Sequence, residues 1–241
     1  MQKGFHEPGE KVKRFYKTAE ARAGEDGFDV LLDGRSPRSA RGTRLTAPTL
    51  ALAELIAEEW AAQGEFIEMG GMHATRLAFT ALEAIPAARD ATADQFAQYA
   101  GSDLLCYFAE APEALVQRQE AHWGPVLQRA EEEIALAFVR AAGIRHKTQP
   151  EATLARVKTL ALESHDFGLA GLAFGAALFG SAILALALQR GWLNGEQAHA
   201  LSRVDEAFQE EKWGIDEEAA ERTARLLSEA RMLERWFRAL D

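Results

Sequence analysis

The sequence predicts an α+β protein in which a small antiparallel, β-rich N-terminal part precedes a larger all-helical part. Within residues 14–46, short apolar runs alternate with turn residues, and Asp33-Gly34 is a strong β-hairpin signal because both turn positions must tolerate a positive φ. After Pro48 the apolar residues recur at helical spacing. We therefore predict a β-rich N-terminal domain at residues 1–48 and an α-helical domain at residues 49–241.

The β-rich part is predicted to contain three or four short antiparallel strands. One strand is expected at Phe15–Ala19 and another at Phe28–Leu32, with a turn at Gly24–Gly27 between them. Pro37 confines the following strand to a sheet edge, because proline has no N–H to donate to a neighbouring strand.

The helical part begins with a helix around Leu52–Trp60, which Pro48 opens in its first turn and Gly64 ends. Further helices are predicted at 73–84, 88–106, 112–141, 150–163, 167–190, 195–211 and 216–240. Pro125 is expected to kink or split the helix at 112–141, because it removes a hydrogen bond in mid-helix.

The composition of the 241-residue chain is that of a soluble globular protein, with 48% hydrophobic and 27% charged residues. A formal net charge of −10 argues against a nucleic-acid partner, because phosphate binding requires clustered Lys and Arg, and it favours a basic protein partner. Cys106 is the single cysteine, which excludes an internal disulfide and a cysteine-based zinc site and indicates a reducing compartment.

Two segments bear on targeting and on membranes. Met1–Lys13 has neither the apolar core of a secretory signal nor the acid-free composition of a transit peptide. Phe167–Leu188 holds 22 residues without a charge, enough to cross a bilayer. Seven alanines, four glycines and the lack of aromatic or basic flanks favour a buried core helix over a membrane span. We expect a protein that is not membrane-integral.

Motifs for catalysis and cofactors are scarce. The sequence has no phosphate-binding glycine loop, dinucleotide fingerprint, nucleophile elbow or His-Glu-x-x-His motif. Glu196 and His199 form one Glu-x-x-His pair, whereas a di-iron bundle needs two, so a first-turn surface pair is the favoured interpretation. Asp166 is expected to favour the start of the following helix, and Cys106 to be a buried structural thiol. No metal and no cofactor are predicted.

The segment Arg203–Ala219, called the acidic block below, is the strongest candidate for a functional site. It combines seven carboxylates with two large aromatic residues: Asp205, Glu206, Glu210, Glu211, Asp216, Glu217 and Glu218 with Phe208 and Trp213. One interpretation is a helical hydrolase with paired carboxylates as general acid and base, which requires a carboxyl of raised pKa in a pocket. The others are a solvated acidic face and a partner-binding surface anchored by aromatics. Asp216 is also a plausible helix N-cap, and Trp213 a plausible core residue.

Motifs in a fixed order across nearly the whole chain resemble one family, the assembly chaperones of the F-type ATP synthase catalytic head that act on its α subunit. The family includes mitochondrial F1-ATPase assembly factor 2 and its alphaproteobacterial homologues. The motifs are Arg14–Lys17, Leu32–Arg35, Leu52–Glu54, Ala57–Trp60, Gln63–Glu65, Met72, Thr75–Ala78, Ser102–Tyr107, Arg118-Gln119, Trp123 with Pro125, Gly180-Ser181, Ile183–Ala187, Arg203–Glu206, Phe208-Gln209 and Trp213–Ala219. The chain departs from the family pattern at Ser39-Ala40, His73, Phe108, Gly124 and Phe208.

The resemblance implies a chaperone and not an enzyme. Such a protein binds the free α subunit, shields the surface that later faces the β subunit, and needs no cofactor, nucleic acid or small-molecule substrate. The contact residues are predicted to be Asp205, Glu206, Gln209, Trp213, Asp216, Glu217 and Glu218. The expected location is the bacterial cytoplasm, which is favoured because Met1 lies shortly before the first motif, or the mitochondrial matrix for a processed eukaryotic form.

Overall fold

A computed structural model describes residues 12–143 and 145–241 of the chain. These residues fold as two compact units, one that ends at Phe79 and one that starts at Thr80. The first contains a small antiparallel sheet and the second is mostly helical, so the predicted α+β class is confirmed. Helices begin just after the predicted boundary at residue 48, but the first unit extends well beyond it. That residues 1–48 form a domain of their own stays a prediction.

The sheet of the first unit has three antiparallel strands in the order β1 (Ala19–Ala23), β2 (Phe28–Leu32) and β3 (Thr46–Ala47). Asp33-Gly34 forms the predicted tight turn after β2, with φ angles of 47° and 80°. The strand predicted at Phe15–Ala19 is wrong, since β1 starts only at Ala19. The reason is that the Asp33 carboxylate accepts hydrogen bonds from the backbone N–H groups of Lys17 and Thr18, which are therefore not paired with a strand.

Helix α1 (Leu50–Ala61) covers the sheet in the first unit. Its N-cap is Thr49, whose side chain accepts a hydrogen bond from the Leu52 N–H, so Pro48 lies just outside the helix rather than in its first turn. The Tyr16 hydroxyl donates a 2.7 Å hydrogen bond to the Trp60 carbonyl and ties the entering chain to α1. A short 3₁₀ helix, Met69–Gly71, then leads into α2 (His73–Glu83).

The second unit contains eight further helices within its described residues, 80–143 and 145–241. They are α3 (Ile85–Gly101), α4 (Glu113–Ile134), α5 (Glu151–Glu163), α6 (Asp166–Phe179), α7 (Ala182–Gln189), α8 (Gly195–Leu201), α9 (Val204–Trp213) and α10 (Glu217–Leu240). A 3₁₀ helix (Leu104–Cys106) precedes β4 (Tyr107–Phe108), which pairs in parallel with β5 (Ala141–Ala142).

Several predicted helix bounds are wrong in the second unit. The helix predicted at 88–106 begins earlier and stops at Gly101, and those predicted at 167–190 and 195–211 are each two helices. Pro125 lies inside α4 and does not split it. The same helix ends at Ile134 instead of residue 141, because Ala135 is left-handed with φ of 58°.

The core of the second unit is built around α6 and α7. These helices pack on each other and contact α3 and α10. Gly171 and Gly175 allow the close approach of α10, since a Cβ at Gly171 would lie 2.7 Å from the Phe237 ring. The uncharged stretch Phe167–Leu188 is thus two short, mostly buried helices separated at Gly180-Ser181. None of the helices in the described part of the chain has the length and hydropathy of a transmembrane span.

Candidate functional site

The acidic block folds as α9, a short junction and the first turn of α10. Gly214 ends α9 with a φ of 81°, a conformation that favours glycine. Asp216 is the N-cap of α10, as predicted, and its carboxylate accepts a 2.8 Å hydrogen bond from the Ala219 N–H. Glu217 and Glu218 follow in the first turn, where negative charge interacts favourably with the helix N-terminus.

One face of α9 is open to solvent. Glu206, Gln209 and Trp213 are exposed and follow one another at spacings of three and four residues, which places them on the same side of the helix. The Trp213 side chain is 86% exposed, and Ile215 in the junction is 50% exposed. The interpretation of Trp213 as a core residue is therefore wrong. A solvent-exposed tryptophan beside carboxylates is typical of an interface anchor.

The opposite face of α9 is attached to α4. Asp205 accepts a 2.6 Å hydrogen bond from the Gln119 side-chain amide, whose oxygen in turn accepts one from the Ala109 N–H. Phe208 is buried, with the Arg118 guanidinium 5.2 Å from its ring centre. Arg118 also donates to both carboxylate oxygens of Glu211, at 2.7 and 2.8 Å. These hydrogen bonds lower the pKa of Glu211 and raise that of Arg118.

The seven predicted contact residues therefore differ in what they do for the fold. Asp205 and Asp216 each accept a hydrogen bond within this chain, from the Gln119 side-chain amide and from the Ala219 N–H respectively. The other five are exposed, namely Glu206, Gln209, Trp213, Glu217 and Glu218. The helical spacing within α9 places Glu206, Gln209 and Trp213 on one surface, and the junction places Asp216 and the first turn of α10 next in the chain.

A cleft of about 530 Å³ lies between α9 and the first half of α10. Four carboxylates of the acidic block line it, those of Glu206, Glu210, Asp216 and Glu218, while Phe179 and Leu226 contribute apolar carbons. Sequence reasoning missed this cleft and its apolar residues. No local signal could have found them, because Phe179 ends a different helix and only the tertiary fold brings it beside α9.

The hydrolase hypothesis required a carboxyl of raised pKa in a pocket. Burial raises the pKa of Asp103 to about 6, but this side chain is fully buried and lies outside the acidic block. Its oxygens accept hydrogen bonds from the Ser181 hydroxyl and from the N–H groups of Leu105 and Ile183. Asp103 thus caps two helices and has no free oxygen facing a substrate.

The remaining candidate groups serve the fold. Cys106 is buried, and burial raises the pKa of its thiol, which opposes formation of a nucleophilic thiolate. Glu196 lies at the surface and forms an ion pair with Arg231. His199 is buried, and burial lowers its pKa. The prediction that Glu196 and His199 form a surface pair is therefore wrong, because the histidine is not at the surface. Across residues 12–143 and 145–241, no group of three or more His, Cys, Asp or Glu could hold a metal ion.

Comparison with known proteins identifies relatives over most of the chain. The family model described as ATP12 chaperone protein matches residues 13–131, a range that ends before the acidic block. The crystal structure of Atp12 from Paracoccus denitrificans is 39% identical with a TM-score of 0.88, and the match covers 95% of this chain and 99% of that one.

Two other relatives come from different lineages. A crystal structure from Agrobacterium tumefaciens, described as a candidate chaperone, is 39% identical with a TM-score of 0.90, over 95% of this chain and 86% of that one. The mitochondrial protein atp12 of Schizosaccharomyces pombe is 24% identical over 226 residues, which is 89% of this chain and 78% of the relative. The solved bacterial structures, unlike the family model, extend over nearly the full length of this chain.

Proposed function

Since the chain belongs to the ATP12 chaperone family, we propose that it is an assembly chaperone for the catalytic head of F-type ATP synthase and that it binds the free α subunit. The chaperone would cover an interface of the α subunit until the β subunit replaces it. An unassembled subunit exposes a large apolar surface, which is an aggregation hazard. In this function the chain acts by binding and not by catalysis.

The observation that carries the proposal is the exposed apolar pair Trp213 and Ile215 amid carboxylates. Monomeric proteins bury most large aromatic side chains, and a tryptophan that is 86% exposed contributes little to its own fold. The surrounding negative charge favours a basic partner surface and speeds the encounter at low salt. Aromatic anchors with exposed charges suit a chaperone, which must bind specifically and still be displaced.

The contact surface in this proposal consists of the seven residues Asp205, Glu206, Gln209, Trp213, Asp216, Glu217 and Glu218. Asp205 and Asp216 also position it, through the hydrogen bonds to Gln119 and Ala219. The site of action is proposed to be the cytoplasm for a bacterial chain and the mitochondrial matrix for a processed eukaryotic form. That range of locations is supported by relatives from bacteria and from a mitochondrion.

Charge reversal tests the surface directly. The variant Glu206→Lys, Glu217→Lys, Glu218→Lys should lose at least about tenfold in affinity for the α subunit, measured by pull-down and by titration of purified proteins. A matched control with the same change in net charge is Glu25→Lys, Glu54→Lys, Glu131→Lys, at exposed positions elsewhere. Circular dichroism should show that both variants are folded. Equal capture by the two variants would remove this surface from the proposal.

Co-purification tests the partner itself. The tagged wild-type chain, expressed in cells that also produce F-type ATP synthase, should retain the α subunit without the β subunit. Recovery of the complete α–β hexamer, or of neither subunit, would contradict the proposed role.

A further inference from the structure

The cleft between α9 and the first half of α10 has walls that are attached to different parts of the second unit. Helix α9 packs against α4, whereas α10 packs against α6, α7 and α8. The buried positions of α10 begin at Ala230, so none of the residues in its first three turns, which form one wall of the cleft, is fully buried. The space of about 530 Å³ lies within the range of ligand-binding clefts.

Part of the cleft lining is apolar. Leu104, Leu178 and Leu226 line the cleft and are only half-buried, and Phe179 also lines it. These side chains come from three segments that are distant in the sequence, namely the 3₁₀ helix at Leu104–Cys106, α6 and α10. When an apolar group displaces water from half-buried leucines, binding is favoured by about 25 cal/mol for each Å² of apolar surface that is buried. The exposed side chains of Trp213 and Ile215 lie in the segment that joins the two walls.

The lining carries more negative than positive charge. Four carboxylates line the cleft, from Glu206, Glu210, Asp216 and Glu218, against the two guanidinium groups of Arg203 and Arg222. Arg203 already pairs with Glu210 at 2.5 Å, and Asp216 caps α10. Glu206 and Glu218 are exposed on opposite walls, so a cation that enters the cleft meets a carboxylate on either side.

From this arrangement we propose that the cleft is a docking groove for an amphipathic helix of the partner, with an apolar stripe against Leu104, Leu178 and Leu226 and with Lys or Arg side chains toward Glu206 and Glu218. This inference rests on the proposed function for the partner's identity, but its chemistry follows from the cleft alone. The cleft has room for several side chains and not for a whole helix, so the occupant inserts one face. A groove between two helices that is lined partly by apolar side chains suits this mode, in which the apolar face of an amphipathic helix enters the groove.

A synthetic helix tests the chemistry of the groove. The probe is a fluorescein-labelled peptide of about 18 residues, with Leu along one face and Lys elsewhere, long enough to form a helix when bound. One control peptide replaces Lys by Glu, and another keeps Lys but replaces Leu by Ser. Fluorescence anisotropy should show binding of the Leu/Lys peptide only. If the Ser/Lys peptide bound as tightly as the Leu/Lys peptide, binding would depend on charge alone, and the proposal would be overturned.

Matched variants locate the binding. Ala219 lines the cleft, whereas Ala220 is exposed beside it and does not. Ala219→Trp should fill the groove and weaken the Leu/Lys peptide at least about tenfold, while Ala220→Trp should leave it unchanged. Glu218→Lys should likewise weaken binding more than Glu221→Lys. Equal effects within either pair, in variants that circular dichroism shows to be folded, would exclude the cleft as the groove.

Capture of the α subunit separates this inference from the proposed function. If Ala219→Trp captures the α subunit as well as the wild type, the groove does not hold the partner and the chaperone role stands. If the wild type binds the Leu/Lys peptide but not the α subunit, the groove stands and the identity of the partner is wrong. If Ala219→Trp, but not Ala220→Trp, binds neither the Leu/Lys peptide nor the α subunit, the result supports both the groove and the proposed function.

Discussion

Two helix junctions in the second unit have similar local chemistry and opposite surroundings. The α6–α7 junction has Gly180 at a φ of 63° and Ser181 as the N-cap of α7. The α9–α10 junction has Gly214 at a φ of 81° and Asp216 as the N-cap of α10. Ser181 is fully buried, whereas Asp216 is exposed to solvent.

At the first junction the side chains of Ser181 and Asp103 are buried and need hydrogen-bond partners within the protein. The Ser181 hydroxyl accepts from the Leu184 N–H at 3.0 Å and donates to Asp103 at 2.7 Å, and Asp103 accepts from the Ile183 N–H. A buried polar group without a partner would cost several kcal/mol. At the exposed junction water can serve the same groups, so its side chains are free to serve a partner. The α6–α7 junction therefore stabilises the fold, whereas the exposed α9–α10 junction belongs to the proposed contact surface.

The largest expected effect is at the buried junction. Asp103→Ala leaves the Ser181 hydroxyl and the N–H groups of Leu105 and Ile183 without their acceptor and should lower the free energy of unfolding by about 3 kcal/mol. Urea denaturation followed by circular dichroism measures this. Asp26→Ala, at an exposed turn position, is the control and should change the midpoint little. A midpoint unchanged in Asp103→Ala would end the assignment of this junction to stability.

The pH dependence of stability should report the same carboxyl. Burial raises the pKa of Asp103 to about 6 in the folded chain, above its value of about 4 in the unfolded chain, so the folded state binds the proton more tightly. Protonation of Asp103 therefore adds about 3 kcal/mol to the free energy of unfolding. This contribution is fully present below about pH 4 and is lost as the pH rises through about 6. Unfolding of the wild type and of Asp103→Asn is compared from pH 4 to 7. Parallel stability curves for the two proteins would contradict the expectation.

The smallest effects on stability are expected at the exposed junction. Asp216→Ala removes one cap and should cost about 1 kcal/mol or less, with faster hydrogen exchange at the Ala219 and Ala220 amides. Ser181→Ala is the matched change at the buried junction and should cost about 2 kcal/mol, because it removes both a cap and a donor to Asp103. If Asp216→Ala proved the more destabilising of the two, the contrast between the junctions would be reversed.

Much of the fold follows from local sequence patterns. Asp33-Gly34 specifies its turn through backbone preference, and the α+β order follows from the change of apolar spacing after Pro48. The end of α4 does not follow from local pattern. Residues 135–141 keep a helical spacing, but the Gln149 side chain bonds both backbone groups of Val139, and the Thr153 hydroxyl bonds the Ala137 carbonyl. Such distant partners overrule a local preference of a few tenths of a kcal/mol per residue.

For the candidate site, the sequence alone determined the composition of the acidic block and the N-cap at Asp216, since a cap depends on residues three positions apart. That Asp205 and Phe208 face α4 while Glu206 and Trp213 face solvent follows from the packing of distant segments. The tertiary structure also brought Leu178 and Leu226 together in one cleft. The reason is physical: helix period and capping are local interactions, whereas exposure depends on which distant surfaces bury each face, and composition does not encode those pairings.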